Sequence, residues 1–196
     1  MANTAIVDYV FDGDPKQLEE LNEVIETATM MESSKYKYDF YNISVLLGIN
    51  AITRNYDLRG NICDVCVNRD IYGSIIELRM ECECAWDESP DLRNKIIKPK
   101  FPDVKTYYYV AEPGCEIFKS NDVRHKYFND RYYIDIEDAG SETCETLAEV
   151  KKYIEDNTDI TISGYESFES IKDQLEILGA AKDKCFSLNR IAYIED

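Results

Sequence analysis

Residues 74–110 read SIIELRMECECAWDESPDLRNKIIKPKFPDVKTYYYV and contain a strand, helix and strand together with the only Trp of the chain. From 76 to 86 the residue types alternate. Ile76, Leu78, Met80, Cys82, Cys84 and Trp86 fall on one side, Glu77, Arg79, Glu81 and Glu83 on the other. Strand side chains point to opposite faces with period two, so this pattern predicts a half-buried antiparallel strand. Ser89-Pro90 then opens a helix: Ser caps free backbone N–H groups, and Pro loses nothing at the first helical position. Leu92 and Ile96, four apart, share its buried side, and Pro99 and Pro102 end it. A second strand follows at 106–110, rich in Tyr.

The same grammar occurs at the start of the chain. Residues 4–11 read as a strand, Asp12-Gly13-Asp14-Pro15 as a turn ending in an Asp cap, and the next residues as a helix with Leu18, Leu21, Ile25 and Ala28 on its apolar stripe. Residues 42–48 fit a short helix or a strand equally. Strands are expected at 62–68, 115–119, 131–137 and, weakly, 159–163 and 185–194. Helices are expected at 142–157 (Leu147, Val150 and Ile154 inward) and 167–182 (Phe168, Ile171, Leu175 and Leu178 inward). Two βα units opened by Asp14-Pro15 and Ser89-Pro90 around an antiparallel sheet predict an α+β, ferredoxin-like fold with helices on one face and a C-terminal helical extension. The expected division is a ferredoxin-like domain over 1–157 and an extension over 158–196 packed on the same core.

The chain has 196 residues, 44% of them hydrophobic, and a formal net charge of −17. That length and composition build a real core. The negative charge is spread along the chain rather than held in a tail, and it disfavours direct contact with nucleic acid or an anionic membrane. The first residues have neither a basic region nor a long apolar run, so no signal peptide is expected, and no later stretch approaches a membrane span. Seven Cys, an odd number, suit reduced thiols in a cytoplasm.

Trp86, Ser89-Pro90, Phe101-Pro102, Glu112 and Gly114 together resemble the ferredoxin-like domain of Api92-like and YubB-like proteins, which occur on phages, plasmids and other mobile elements. The resemblance spans about 61–135. It implies a ferredoxin-like fold and a mobile-element origin, and it assigns no catalytic residue.

Several constellations invite a chemical reading. Cys63-x-x-Cys66 with Cys82-x-Cys84 offers four thiolates, the ligands structural zinc prefers. On extended strands, however, Cys63 and Cys66 point to opposite faces, and Cys82 and Cys84 sit within an apolar stripe, where free Cys behaves as a small hydrophobe. Core thiols are the reading adopted, with a zinc site on Cys63, Cys66, Cys82 and Cys84 as the alternative. The single His125, in a charged loop, disfavours multi-His metal sites and nucleophile–His pairs. Glu77, Glu81 and Glu83 could act as paired carboxylates, as in glycoside hydrolases, but a solvated strand face accounts for them equally well. Exposed Tyr on such a sheet, without the basic surroundings RNA needs, marks a protein contact.

The sequence therefore suggests a non-enzymatic acidic cytoplasmic protein that binds an unidentified protein through its sheet face or edge, with no cofactor or metal and no catalytic residue. Trp86, Tyr108, Glu112 and Tyr132 are the candidate contact residues. An acidic DNA-mimic decoy and a small carboxylate-dependent enzyme are the competing readings; the first requires carboxylates in rows.

Overall fold

The first strand, β1 (Thr4–Gly13), has Ala5, Val7, Tyr9 and Phe11 in the core. Gly13 is needed where it stands, because a Cβ there would lie 2.0 Å from the Asp103 carbonyl oxygen. The Asp14 carboxylate accepts from Gln17 N at 3.0 Å and, with Pro15 behind it, starts α1 (Pro15–Met30). The stripe Leu18, Leu21, Ile25 and Ala28 is buried as its spacing predicts. Residues 42–48, open between helix and strand in the sequence, lie mostly in α2 (Asp39–Leu46), which buries Phe40 and Ile43. The structure, a computed structural model, describes residues 3–31, 38–159, 161–162, 167–182 and 185–195, the last three of the α5 helix as backbone only.

A long hairpin follows, β2 (Gly60–Arg69) and β3 (Ile75–Ala85). After it the chain turns through Ser89-Pro90 into α3, π-helical over Leu92–Ile97 and α-helical over Lys98–Lys100. Pro99 lies inside this helix rather than ending it. Its ring would clash with the carbonyl four residues back in ideal α geometry, and the wider π turn precedes it. Strand β4 (Val104–Glu112) completes the unit, followed by a 3₁₀ turn at Pro113–Cys115.

In this part of the sheet the order is β2-β3-β1-β4, with every pair antiparallel. With strands counted in chain order this is 4-1-3-2, the ferredoxin-like arrangement. The helices α1, α2 and α3 share one core with one face of these strands. The chain is thus α+β with a ferredoxin-like sheet.

Two irregularities correct the expected β3 stripe. Asn68 pairs with Glu77 and Arg69 with Ile75, so Ile76 is the extra residue of a β-bulge. Ile75 takes the buried place, and Ile76 is exposed. At the far end the strand stops at Ala85, and Trp86 leaves the apolar face. A further bulge on β2 leaves Cys63 unmatched between Ile62 and Asp64.

The compact units divide after Ile117, into Met1–Ile117 and Phe118–Glu195, not after 157. The reason is a second sheet. Strand β6 (Tyr132–Ile136) pairs antiparallel with β7 (Gly140–Cys144) and with β8 (Phe186–Arg190), which joins residues 54 apart in sequence into one layer. Helices α4 (Leu147–Asn157) and α5 (Phe168–Lys182) close it with a core of their own, including Ile134, Val150, Ile154, Ile171, Leu175 and Leu188. β5 (Ile117–Ser120) pairs in parallel with β9 (Ala192–Tyr193) through Lys119–Ala192 and Ser120–Tyr193. The helix expected from 142 begins at Leu147, where Thr146 and Glu149 form a reciprocal capping box. Of the strand expected over 159–163, positions 160 and 163 lie outside the described residues, and Thr161 and Ile162 are not extended pairs.

Candidate functional site

Trp86 has φ 74, a left-handed conformation uncommon for a residue with a side chain, and its N–H donates to the Asn3 carbonyl at 3.0 Å. This turn leaves the indole 43% exposed at the end of the sheet. Just beyond it Glu88, Ser89 and Arg93 are buried. Arg93 Nη2 donates to Glu88 Oε1 at 3.1 Å, and Ser89 N donates to the Tyr9 hydroxyl at 3.0 Å. Ser89 Oγ accepts from Leu92 N at 3.3 Å, as its expected cap role requires, and donates to the Asp57 carbonyl at 2.8 Å. The Arg93 guanidinium carbon stands 5.0 Å from the centre of the Tyr108 ring. Burial holds the Tyr9 hydroxyl well above its usual pKa, so it stays neutral. These contacts fasten α3 to the sheet.

Trp86, Tyr108 and Glu112, the candidate contact residues of the first unit, have separate environments. Trp86 is presented to solvent. Tyr108 is buried beneath Arg93 on the helix side of β4. Glu112 is buried, and its carboxylate accepts from Cys115 N. A Cβ at Gly114 would lie 3.0 Å from Glu112 Oε1 and 3.2 Å from Asn3 Nδ2, so glycine keeps this corner open. Asn3 Nδ2 donates to Cys115 Sγ at 3.2 Å, which links the Glu112 corner to the residue that holds Trp86. The hydrogen bond to Glu112 pushes the Cys115 thiol pKa up, away from thiolate chemistry. Tyr132, in the second unit, stacks on Phe168 with ring centres 5.7 Å apart.

The thiols separate as well. Cys82 and Cys84 are buried in the core, and burial raises both pKa values. Cys63 and Cys66 are exposed, which corrects the core reading for this pair: β2 is the edge of the sheet, and Cys63 is its bulge. Among the described residues no group of three or more His, Cys, Asp or Glu side chains is placed to hold a metal ion.

The face of β2, β3 and β1 opposite the helices carries a row of carboxylates. Asp64 pairs with Glu81, and Glu81 pairs with Asp8, so three carboxylates stand in direct register across three strands. Glu77 and Glu83 extend the charge along β3, and Arg79, 2.6 Å from Glu77, is the base among them. Like charges directly opposite on neighbouring strands are destabilising. The Asp8 pKa is pushed up to about 6, by burial first and with Glu81 adding to it, against the pull of Arg79. Sequence reasoning found Glu77, Glu81 and Glu83 and missed Asp8 and Asp64. The signal was the alternation of β1 and β2, but it becomes a row only once the register is known.

No protein-family model and no curated protein matches the chain. A solved structure described as a candidate glycine cleavage system transcriptional repressor aligns over 99% of this chain and 99% of that chain, at 12% identity and a TM-score of 0.26. At that score it adds nothing to the fold class read from the strand order. Among the described residues, no helix is long and apolar enough to cross a membrane.

Proposed function

We propose that this chain is a non-catalytic, acidic protein-binding module of mobile-element origin, and that its contact surface is the carboxylate-bearing face of β2 and β3 that borders Asp8 of β1. The observation that carries the reading is the register row Asp64–Glu81–Asp8. A face held in like-charge repulsion is stabilised by a partner that brings cations to it, and such complementarity raises association rates and fixes register. The partner is therefore a Lys/Arg-rich protein surface. The resemblance carried by Trp86, Ser89-Pro90 and Glu112 supports the mobile-element origin. Seven free cysteines support a reducing cytoplasm. An enzyme using carboxylates near Trp86 is less well supported, because Glu88 is committed to Arg93 and Glu112 to Cys115 N.

The test is capture of partners from the source cells by the tagged protein, at low and high salt, beside the triple variant Asp64→Asn/Glu81→Gln/Glu83→Gln. A partner that leaves in high salt and fails to bind the variant is the expected result. A partner retained by the variant, or resistant to salt, removes the acidic face from the reading and points to an apolar, Tyr-lined contact instead.

A second reading, the acidic decoy of a nucleic-acid-binding protein, is favoured by the same row, since a phosphate mimic needs ordered carboxylates. Added duplex DNA displacing the captured partner separates it from the first; a partner indifferent to DNA ends it.

A further inference from the structure

We infer that the partner of the acidic face docks as an added strand: an extended segment of alternating basic and apolar residues that pairs with the free edge of β2 over residues 65–67. This rests on the acidic-face reading and specifies the build of that partner. β2 ends the strand order, and among the described residues no strand pairs with its outer side. Its first half is closed. Ile62 N donates to Asp39 Oδ2 at 2.9 Å, Asp39 N donates to Asn61 Oδ1 at 3.3 Å, and the Cys63 bulge interrupts the ladder. Covered backbone groups and bulges keep other chains off a sheet edge. The stretch that follows, Asp64-Val65-Cys66-Val67-Asn68, has neither Lys nor Pro to do the same.

The backbone of that stretch faces outward. Ile62 N, bonded to Asp39, points away from β3, so Ile62 and Cys82 are a pair without ladder bonds. Val65 and Val67 pair with Met80 and Leu78, which follow Cys82 in steps of two along a continuous register of β3. Pairs with and without ladder bonds alternate in an antiparallel sheet, so the N–H and C=O groups of Val65 and Val67 also point off the edge. The side chains sort onto two faces. Val65 and Val67 lie on the helix side, packed on the core yet half-buried, whereas Leu78 and Met80 on the next strand are buried. Asp64 lies on the other side, exposed, at the end of the Asp64–Glu81–Asp8 row.

An added strand of about five residues continues both faces. Its apolar residues lie beside Val65 and Val67 and cover the flank of the core that β2 leaves half open. Lys or Arg at the positions between lie beside Asp64 and extend the carboxylate row by one strand of opposite charge. Main-chain hydrogen bonds to Val65 and Val67 supply affinity, and the alternation supplies specificity. The bases already on this part of the sheet are committed: Arg79 stands 2.6 Å from Glu77, and Arg69 3.0 Å from Glu19. A second copy fits worse, because edge-to-edge pairing would continue one acidic face with another between chains of −17 each.

The probe is an end-blocked peptide of alternating Lys and Val, about six residues long, titrated into the full chain at low salt and followed by backbone amide NMR. Three peptides of the same composition accompany it: one in block order, one N-methylated at its Lys amides and one at its Val amides. Only one of these alternate sets turns its N–H groups toward β2. The alternating peptide is expected to shift the Val65 and Val67 amides. It should bind about tenfold tighter than the block-order peptide and than one of the methylated pair, with the other methylated peptide close to the parent. Val67→Pro removes an outward N–H and spares the β3 ladder, and Asp64→Lys puts a like charge beside the peptide at an exposed position. Each should weaken binding about tenfold, as should about 0.5 M salt, with circular dichroism checking the fold of each variant. If the block-order peptide and both methylated peptides bind as tightly as the parent, and Asp64→Asn/Glu81→Gln/Glu83→Gln abolishes binding, strand addition is overturned and the acidic-face reading stands. Binding untouched by that triple variant, or no binding by any of the peptides, overturns both. Broadening of the amides of residues 65–68 with protein concentration alone gives the edge to a second copy and overturns the assignment to a basic segment.

Discussion

On the helix side of β3, Leu78, Met80, Cys82 and Cys84 are buried, and the buried Glu88 and Arg93 beyond the end of the strand form an ion pair. On the other side, Glu77, Glu81 and Glu83 stand with Asp64 and Asp8 around a single Arg79. The same eleven-residue strand thus borders a region where charge is neutralised and a region where it is left in excess. Burial explains the first: a charge taken out of water survives only when paired. That demand is weaker on the other side, where Glu81, Glu83 and Asp64 are exposed and screened by water, and it returns only at the half-buried Asp8. The largest test of this contrast is Arg93→Met. It keeps much of the volume but leaves the Glu88 carboxylate buried alone, and should cost about 3–5 kcal/mol in urea denaturation. The double variant Glu88→Gln/Arg93→Met should recover part of that loss. A cost below about 1 kcal/mol for Arg93→Met would mean that the pair is not what holds the buried side together.

The open side should respond in the opposite sense. Folding raises the Asp8 pKa from 3.8 to about 6, so the folded chain holds this proton more tightly than the unfolded chain. The stability this confers is fully present below pH 3.8 and is lost as pH rises through about 6. Burial sets most of it, with Glu81 adding to the rise and Arg79 opposing it, and Tyr109 stands opposite on β4. Asp8→Asn removes the charge and should stabilise the protein at pH 7 by about 1–3 kcal/mol, while flattening the slope of urea midpoint against pH across that window. An unchanged slope would show that the row is relaxed by solvent and stores no repulsion for a partner to relieve.

How far this contrast was legible in the sequence depends on range. The α1 stripe and the Asp14-Pro15 start follow from local spacing and appear as read. The middle of β3 does too. Its ends do not, because the Ile76 bulge is set by pairing with β2 and the Trp86 turn by a hydrogen bond to Asn3, 83 residues away in sequence. The acidic row was hidden for the same reason: Asp8 and Asp64 meet Glu81 only through a register that includes the Cys63 bulge. The start of α4 is a different failure. Thr146-x-x-Glu149 is a local capping signal, and it lost to an apparent helix from 142 that β7 pairing with β6 takes away. Thr146→Ala should cost the second unit about 1 kcal/mol in thermal or urea unfolding, measured against the first-unit variants as a scale for an uncharged cap. No change there would assign the helix start to β7 pairing alone.

The smallest test sharpens the comparison within the first unit. Asp57 is a partly exposed carboxylate that has what Asp8 lacks, a base of its own. Arg59 donates from Nε at 2.8 Å and from Nη2 at 2.6 Å, and this pair of hydrogen bonds lowers the Asp57 pKa. The sign is therefore reversed: the contribution is present above the unfolded pKa of 3.8 and is lost as pH falls below it. Because the pair is largely in water, Arg59→Gln should cost only about 0.2–1 kcal/mol at pH 7, fading at acid pH. Measured on one pH series, Asp8→Asn should gain stability toward neutral pH while Arg59→Gln loses a little. Two aspartates of one unit would then titrate stability in opposite directions, one because burial and then Glu81 disfavour its charge, the other because Arg59 favours it. If Arg59→Gln instead proved as costly as Arg93→Met, exposure would not be what separates the two regions, and the screening argument for the open face would fail with it.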